Sequence, residues 1–250
     1  MNTAIFHTVN AGLYFWDGSS GILIDGLHRG QAEGFSDLPD TLQLQLEEQA
    51  GMFAHLHGLF FTHDHPDHYD AAAEQLCAAR GIPLYVPGHN SPLGNAHPIL
   101  PDVLRYRLGQ AYIIGRFNTH DGPAFQTVPH CSYLVRMTGE RFLVAGDAHL
   151  QEEDAVFYQG CHDAPVAGVF LNIYQAFAPD THAFLRRLAP QRIFLYHLPF
   201  PQDDHNNFYS LARCAAERFP PDLSPLEQLP QMGWVDGIEA GWTHLENFAS

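Results

Sequence analysis

Phe60-Phe61-Thr62-His63-Asp64-His65-Pro66-Asp67-His68 decides how this chain is read. The apolar run over residues 58–62 predicts a short buried strand. Four side chains able to hold a metal follow it within residues 63–68: His63, His65, Asp67 and His68. Alternation along an extended loop puts His63 and His65 on one side. Residues 67–80 read as a helix, with Gly81 at its end and Pro83 just beyond, so Asp67 and His68 open that helix. Imidazole and carboxylate together suit a borderline divalent ion such as Zn²⁺. Pro66 locks its own φ and stiffens the loop. The plainer alternative, a polar loop whose Asp67 caps the helix, leaves this clustering of four ligating side chains unexplained.

Short β-type runs precede the motif at residues 5–9, 12–16 and 21–24, and residues 41–52 have helical spacing. Asp17-Gly18-Ser19-Ser20 reads as a hairpin turn. Strands are expected after the motif at 83–87, 103–108, 112–117, 125–128, 132–137 and 141–145, with Thr138-Gly139-Glu140 as a second hairpin turn. Further strands are expected at 167–171 and 192–196, and helices at 181–188 and 206–219. This alternation predicts an α/β protein with sheets packed face to face and helices outside. No repeat, low-complexity tract or Ser/Gly-rich linker divides the chain, which reads as one domain over residues 1–250. The tail after Pro220, with Trp234, Trp242 and Phe248, reads as a closing segment of that domain.

Composition narrows the function. The 250 residues carry 12 Lys+Arg against 28 Asp+Glu, a formal charge of −16, and every cation is Arg. With 46% hydrophobic and 16% charged residues, the chain is of the folded globular class. So negative a chain without a basic run argues against duplex nucleic acid and anionic membranes as partners and leaves a small-molecule substrate. No apolar stretch approaches the roughly 18 residues of a spanning helix. The opening MNTAIFHTVNAG lacks a basic segment followed by an apolar run, so no secretory signal is expected. Cys77, Cys131, Cys161 and Cys214 are scattered with no CxxC, which suits reduced thiols and a cytoplasmic location. The 17 His are the anomaly, and their spacing gives them meaning.

Five segments in order carry a family resemblance. His63-x-His65-x-Asp67-His68 resembles the HxHxDH signature of the metallo-β-lactamase-fold hydrolases. Gly21-Ile22-Leu23-Ile24-Asp25-Gly26 is similar to that family's opening strands. Val128-Pro129-His130-Cys131-Ser132-Tyr133-Leu134 resembles its single-His motif before a strand. Phe142-Leu143-Val144-Ala145-Gly146-Asp147 resembles its apolar strand ending in Gly-Asp, and Ile193-Phe194-Leu195-Tyr196-His197 its last motif. The resemblance implies a four-layer αββα sandwich with two divalent ions. His63, His65 and His130 would hold the first ion, Asp67, His68 and His197 the second, and Asp147 would bridge them. Zn²⁺ suits this nitrogen-rich set best, with Mn²⁺ and Fe²⁺ also compatible. Hydroxide activated between the ions would attack a small ester, lactone or phosphodiester. Asp147, Asp67 or a nearby His120 would manage the proton. Nucleic-acid processing is the runner-up within the superfamily, and a mononuclear-iron redox enzyme or a non-catalytic metal binder are the readings outside it. The family's di-iron, oxygen-reducing branch has an acidic residue where His65 stands and an added flavin-binding domain, which counts against that branch.

Substrate choice is less legible. His120 lies in the polar Asn118-Thr119-His120-Asp121-Gly122-Pro123, and with His130-x-Ser132-Tyr133 it loosely resembles the ascorbate-6-phosphate lactonase subgroup. His149 is placed to reach the pocket mouth, and Asp203 or Asp204 to cap the last helix. Arg105, Arg107 and Arg116 either supply an anion contact in the pocket or line a solvated strand face. His55 and His57, Cys131, Tyr133 and Tyr196 read more simply as surface or packing residues. The oligomeric state is not legible.

Overall fold

The computed structural model describes residues 3–29, 32–88, 98–100, 103–161 and 164–235. In chain order they form β1 (Ala4–His7), β2 (Leu13–Trp16), β3 (Gly21–Ile24), α1 (Asp40–Glu48), β4 (Leu56–Phe60), α2 (Ala72–Arg80), β5 (Leu84–Tyr85) and β6 (Pro98–Leu100). Then follow β7 (Val103–Leu108), β8 (Ala111–Asn118), β9 (His130–Met137), β10 (Glu140–Val144), α3 (Glu152–Gly160), β11 (Gly168–Leu171), α4 (Ile173–Phe177) and α5 (Pro179–Leu188). β12 (Arg192–Leu195), α6 (Phe208–Arg218), β13 (Leu226–Gln228) and β14 (Gly233–Trp234) complete the set.

One six-stranded sheet has the order β14-β1-β2-β3-β4-β5, and an eight-stranded sheet the order β13-β12-β11-β10-β9-β8-β7-β6. Their inner faces share one apolar core, in which Phe15, Ile22 and Phe60 meet Tyr133, Phe142 and Phe170. The rings interlock edge to face, Phe15 on Phe170 at 6.0 Å and Phe60 on Tyr133 at 5.5 Å. The outer face of the first sheet packs under α1 and α2 through Leu42, Leu46, Ala73 and Cys77. The second sheet packs under α3 and α5 through Ala155, Tyr158, Phe184 and Leu185. Helix, sheet, sheet, helix is the expected αββα sandwich. It is dictated by strands that are apolar on both faces and must be covered on both.

The direction of the strands places the chemistry. β3 and β4 run parallel, as do β10, β11 and β12, so their C-terminal ends share one rim. Asp25, Thr62, Asp147, Asn172 and His197 all lie at or just beyond those ends. Ligand sites of parallel sheets favour this position. Antiparallel pairing of β8 with β9 sets Asn118 opposite His130 at the same rim.

Three expectations are corrected. The helix after the motif starts at Ala72, not at residue 67, and Asp70 accepts the Ala72 N–H at 2.7 Å where the coil ends. Asp67 and His68 therefore lie on a turn before it. Residues 125–128 form no strand. Phe125 N–H bonds to Gly122 O and Val128 N–H to Phe125 O, two successive tight turns. α3, α4, β6, β13 and β14 were not expected. The last two explain the tail: β13 pairs parallel with β12 and β14 antiparallel with β1, adding one edge strand to each sheet. Trp242 and Phe248 lie outside the described residues.

Candidate metal centre

Three imidazoles at the rim, His63, His68 and His120, have one nitrogen tied down. Asp25 is fully buried at the end of β3. Its Oδ1 accepts the Thr62 N–H at 2.7 Å and its Oδ2 the Thr62 hydroxyl at 2.8 Å. The same Oδ2 accepts His68 Nδ1–H at 3.0 Å. With its hydrogen committed to Asp25, Thr62 Oγ1 accepts His63 Nδ1–H at 3.0 Å. His120 Nδ1–H donates to the Asp121 carbonyl at 2.6 Å. All three rings thus present Nε2 inward, the arrangement by which outer partners set tautomer and aim at metal-ligating histidines.

Those inward nitrogens converge. Nε2 of His63, His68 and His120 are buried without a hydrogen-bond partner. They stand 3.8, 3.6 and 3.8 Å from one atom, Asp147 Oδ2. Unpaired buried polar atoms are costly, so three around one carboxylate oxygen call for a cation. His197 joins through Nε2, 2.9 Å from Asp67 Oδ2, and Nδ1, 3.4 Å from Asp147 Oδ1. Two groups result, each with ligand atoms within 4.8 Å of one another: His63, His65, His120 and Asp147, and Asp67, His68 and His197. Asp147 reaches into both. Its Oδ1 also accepts Asn172 Nδ2 at 2.8 Å, which leaves Oδ2 turned to the histidines.

His130 departs from the expected pattern. Its Nδ1–H donates to Asn118 Oδ1 at 2.7 Å and its Nε2 accepts the Asp147 backbone N–H at 3.0 Å. Both ring nitrogens are spent, and His130 belongs to neither cluster. The histidine that closes the first cluster is His120, expected only as a proton carrier. His120 lies two residues beyond β8 and His130 begins β9, so the hairpin brings both to one rim. Asn118, sitting opposite His130, takes its Nδ1 and settles which of the two faces inward. Gly146 allows the close packing: at φ 60, any Cβ there would lie 2.7 Å from both His130 Nε2 and Thr62 Cβ. His197 is also held at positive φ, 64, unusual for a non-glycine residue and a local strain that aims its ring.

Electrostatics follow the geometry. Burial and the neighbouring His68 push His63 well below the usual histidine range. His68 has the opposite fate: burial disfavours its charge, but Asp25, Asp67 and Asp147 together hold it well above the ordinary value. Burial would raise Asp67, yet His68 and the His197 hydrogen bond hold it down at about 2. Burial lowers His130 to about 3 and His28, deep beneath the rim, to about 4. In the unfolded chain both titrate near 6.5, so between these values the unfolded state binds more protons. The share of the metal-free protein's stability that His130 and His28 contribute is therefore full above about pH 6.5 and falls as pH drops toward 4, while His68 works in the opposite sense above about pH 6.5. Denaturant melts of chelated protein at pH 7, 5.5 and 4.5 check this, and H28Q is expected to flatten the decline.

The remaining candidates take up other positions. His149 stands 3.6 Å from both Asp121 and Asp180, beyond the ligand cluster. Asp204 caps α6, accepting the Phe208 and Tyr209 N–H groups, while Asp203 accepts the Ser36 hydroxyl. Tyr133 donates to the Phe61 carbonyl at 2.6 Å and ties the two sheets together. Cys131 is buried, and burial raises its thiol. His57 Nδ1 bonds the His55 carbonyl, away from the site. Arg116 pairs with Asp154 at 2.9 Å over the Phe157 ring, on the outer face of the second sheet. Two rings were not anticipated. Phe125, 46% exposed, lies against His65 and His120, with centroids at 5.1 and 5.2 Å. Phe35 stacks on His197 at 4.9 Å. Both sit in irregular segments, where no periodicity marks them.

No protein-family model matches the chain, and no curated protein matches it in sequence. Solved structures do. CmlA, a diiron β-hydroxylase from Streptomyces venezuelae, superposes with a TM-score of 0.58 at 14% identity, covering 94% of this chain and 54% of that one. This chain thus spans about half the length of CmlA. An isothiocyanate hydrolase from Delia radicum gut bacteria gives 0.58 at 16% identity, covering 94% of this chain and 98% of that one. The metallo-β-lactamase fold protein YhfI from Bacillus subtilis gives 0.58 at 11% identity, covering 94% and 99%. Shared architecture over nearly all of the chain, with the histidine-aspartate rim at the strand ends, shows that this protein has the metallo-β-lactamase fold.

Proposed function

We propose that this chain is a metal-dependent hydrolase acting on a small ester, lactone or phosphodiester at a centre for two divalent ions. One observation carries the reading: three buried, unpartnered imidazole nitrogens surround Asp147 Oδ2. His63, His65 and His120 would hold the first ion, Asp67, His68 and His197 the second, and Asp147 would be shared. His130 leaves the proposed ligand set and instead positions Asp147 through its backbone N–H. A nitrogen- and oxygen-rich set of this kind suits Zn²⁺, with Mn²⁺ or Fe²⁺ compatible. Bound there, the ions would supply Lewis acidity and make water acidic enough to react near neutral pH.

The chain's own groups do the rest. Asp25 and Thr62 hold His68 and His63 in one tautomer, so little reorganisation is needed as charge develops. Asp67 and Asp147 stay ionised down to low pH, as carboxylates that would share divalent ions must. His120, with both nitrogens committed in this ligand set, is freed from the proton-carrying role. His65 is half-buried, and with Phe125 it marks the open side where substrate enters. The exposed Phe125 ring offers an apolar wall to the non-reacting part of a substrate.

Elemental analysis of protein purified without added metal tests the centre, and a hydrolysis panel tests the chemistry. The panel holds bis-aryl phosphates, lactones, thioesters and, because one structural neighbour bears that name, isothiocyanates. Two equivalents of a divalent metal and chelator-sensitive hydrolysis are expected. Iron with oxygen uptake and no hydrolysis would instead favour the redox chemistry that CmlA's description carries. Metal uptake must displace the proton that three carboxylates hold on His68, so affinity is expected to rise with pH.

A further inference from the structure

The end of the sandwich opposite the metal rim carries a second polar hollow. A cavity of about 600 Å³ lies among the hairpin turns there, lined by Arg107, Tyr112 and Arg136 with Asp17, Ser19 and Gln110. β9 runs from His130 at the rim to Met137 at this end, seven steps of about 3.4 Å, so the hollow lies about 24 Å from the metal centre. It is not part of that site.

The sheet register aligns its cations. Arg107 pairs directly with Tyr112 across β7 and β8, Tyr112 with Arg136 across β8 and β9, and Arg136 with Arg141 across β9 and β10. Residues directly opposite one another project from the same face, so Arg-Tyr-Arg-Arg forms one row. Arg107 and Arg136 stand two strand spacings apart, about 10 Å at the backbone, close enough for both guanidinium groups to close on one anion. Arg141 is buried, and its guanidinium donates to the Tyr158 carbonyl at 3.2 Å. Among the described residues, Arg107 and Arg136 make no side-chain hydrogen bond or ion pair.

This is unusual placement for so acidic a chain. It has only 12 cations against 28 acids, and five of them, Arg105, Arg107, Arg116, Arg136 and Arg141, fall on these four strands. Arg136 lies directly opposite Arg141, and like charges so placed destabilise a sheet unless a counter-charge offsets them. Arg107 and Arg136 both line the hollow. The one carboxylate in the lining, Asp17, is turned into its own hairpin. Its Oδ1 accepts Ser19 N–H, Ser19 Oγ–H and Ser20 N–H at 2.8, 2.9 and 2.7 Å. Guanidinium forks match phosphoryl oxygens in pairs, and the Tyr112 ring between them gives a flat wall.

We infer that Arg107, Tyr112 and Arg136 form an anion site for a small phosphoryl-bearing molecule, separate from the metal centre. Calorimetric titration of the metal-loaded protein with inorganic pyrophosphate tests it, because only an event lost in the double variant R107Q/R136Q reports on the hollow. Wild type is expected to show one Arg-dependent equivalent per chain. R107Q/R136Q is expected to lose that event, with its affinity reduced at least tenfold and hydrolysis of the panel substrate unchanged. R107K/R136K, which keeps charge but not the paired geometry, should recover part of that affinity. Raising NaCl from 0.05 to 0.5 M should weaken the Arg-dependent event. Identical isotherms for wild type and R107Q/R136Q at equal melting temperature would overturn the inference.

Discussion

Asp147→Ala is expected to leave a folded protein that holds at most one metal ion and hydrolyses substrate at least about 10³-fold more slowly, a loss of about 4 kcal/mol in transition-state stabilisation. The reason is geometric. Asp147 Oδ2 is the atom that His63, His68 and His120 all approach, and Oδ1 is the contact of His197 and Asn172. Among the described residues, no other carboxylate contacts members of both clusters. The fold should survive because the backbone N–H of residue 147 still donates to His130, and the aromatic core lies below the rim. Circular dichroism, elemental analysis and steady-state rates on one preparation decide the matter. Two retained equivalents and an unchanged rate would end the bridging role. Loss of the folded signal would show instead that Asp147 is structural, and Asp147→Asn, which keeps the Asn172 contact, then separates charge from shape.

The contrast between His120 and His130 should be nearly as large. His120→Ala removes a side chain whose buried Nε2 has no partner except the cluster, so it is expected to empty the first ion and cut activity by about 10²–10³-fold, in the range seen when a preorganised group at developing charge is removed. His130→Gln retains a donor for Asn118 and an acceptor for the Asp147 N–H. It should keep two ions and lose about 10–100-fold in metal affinity, the size of effect seen for groups that orient ligands. Metal stoichiometry by elemental analysis distinguishes the two variants. An emptied His130→Gln beside a fully loaded His120→Ala would return His130 to the ligand set and make His120 the supporting residue.

Sequence and structure part company at that pair. His63, His65, Asp67 and His68 were legible because they crowd onto one turn after an apolar strand, and covalent proximity alone keeps them together. Asp147 and His197 each end a strongly apolar strand, but it was the resemblance to the metallo-β-lactamase-fold motifs, and not their position alone, that marked them as candidate ligands. His120 and His130 flank the same hairpin in a stretch without periodicity. Which of them faces the cluster depends on a contact with Asn118 that exists only once β8 and β9 are paired. Residues 125–128 were read as a strand, yet Gly122 and Pro123 bend the chain into turns and leave the Phe125 ring on the surface. Similarly, residues 67–71 have helical composition, but coiling starts only after Asp67 and His68 have turned toward the rim and Asp70 has capped Ala72.

The linear order of residues by itself determined the layers and gathered the candidate ligands of one turn. Apolar runs of strand length, broken at regular turns, must bury both faces, and a dense HxHxDH motif holds four ligand-capable side chains close together whatever the rest of the chain does. Only the tertiary structure decided which nitrogens remain unpaired and which arginines line up across four strands. Both outcomes follow from register between segments distant in sequence, and hydrogen bonds that exist only after the sheets have closed select one imidazole over its neighbour.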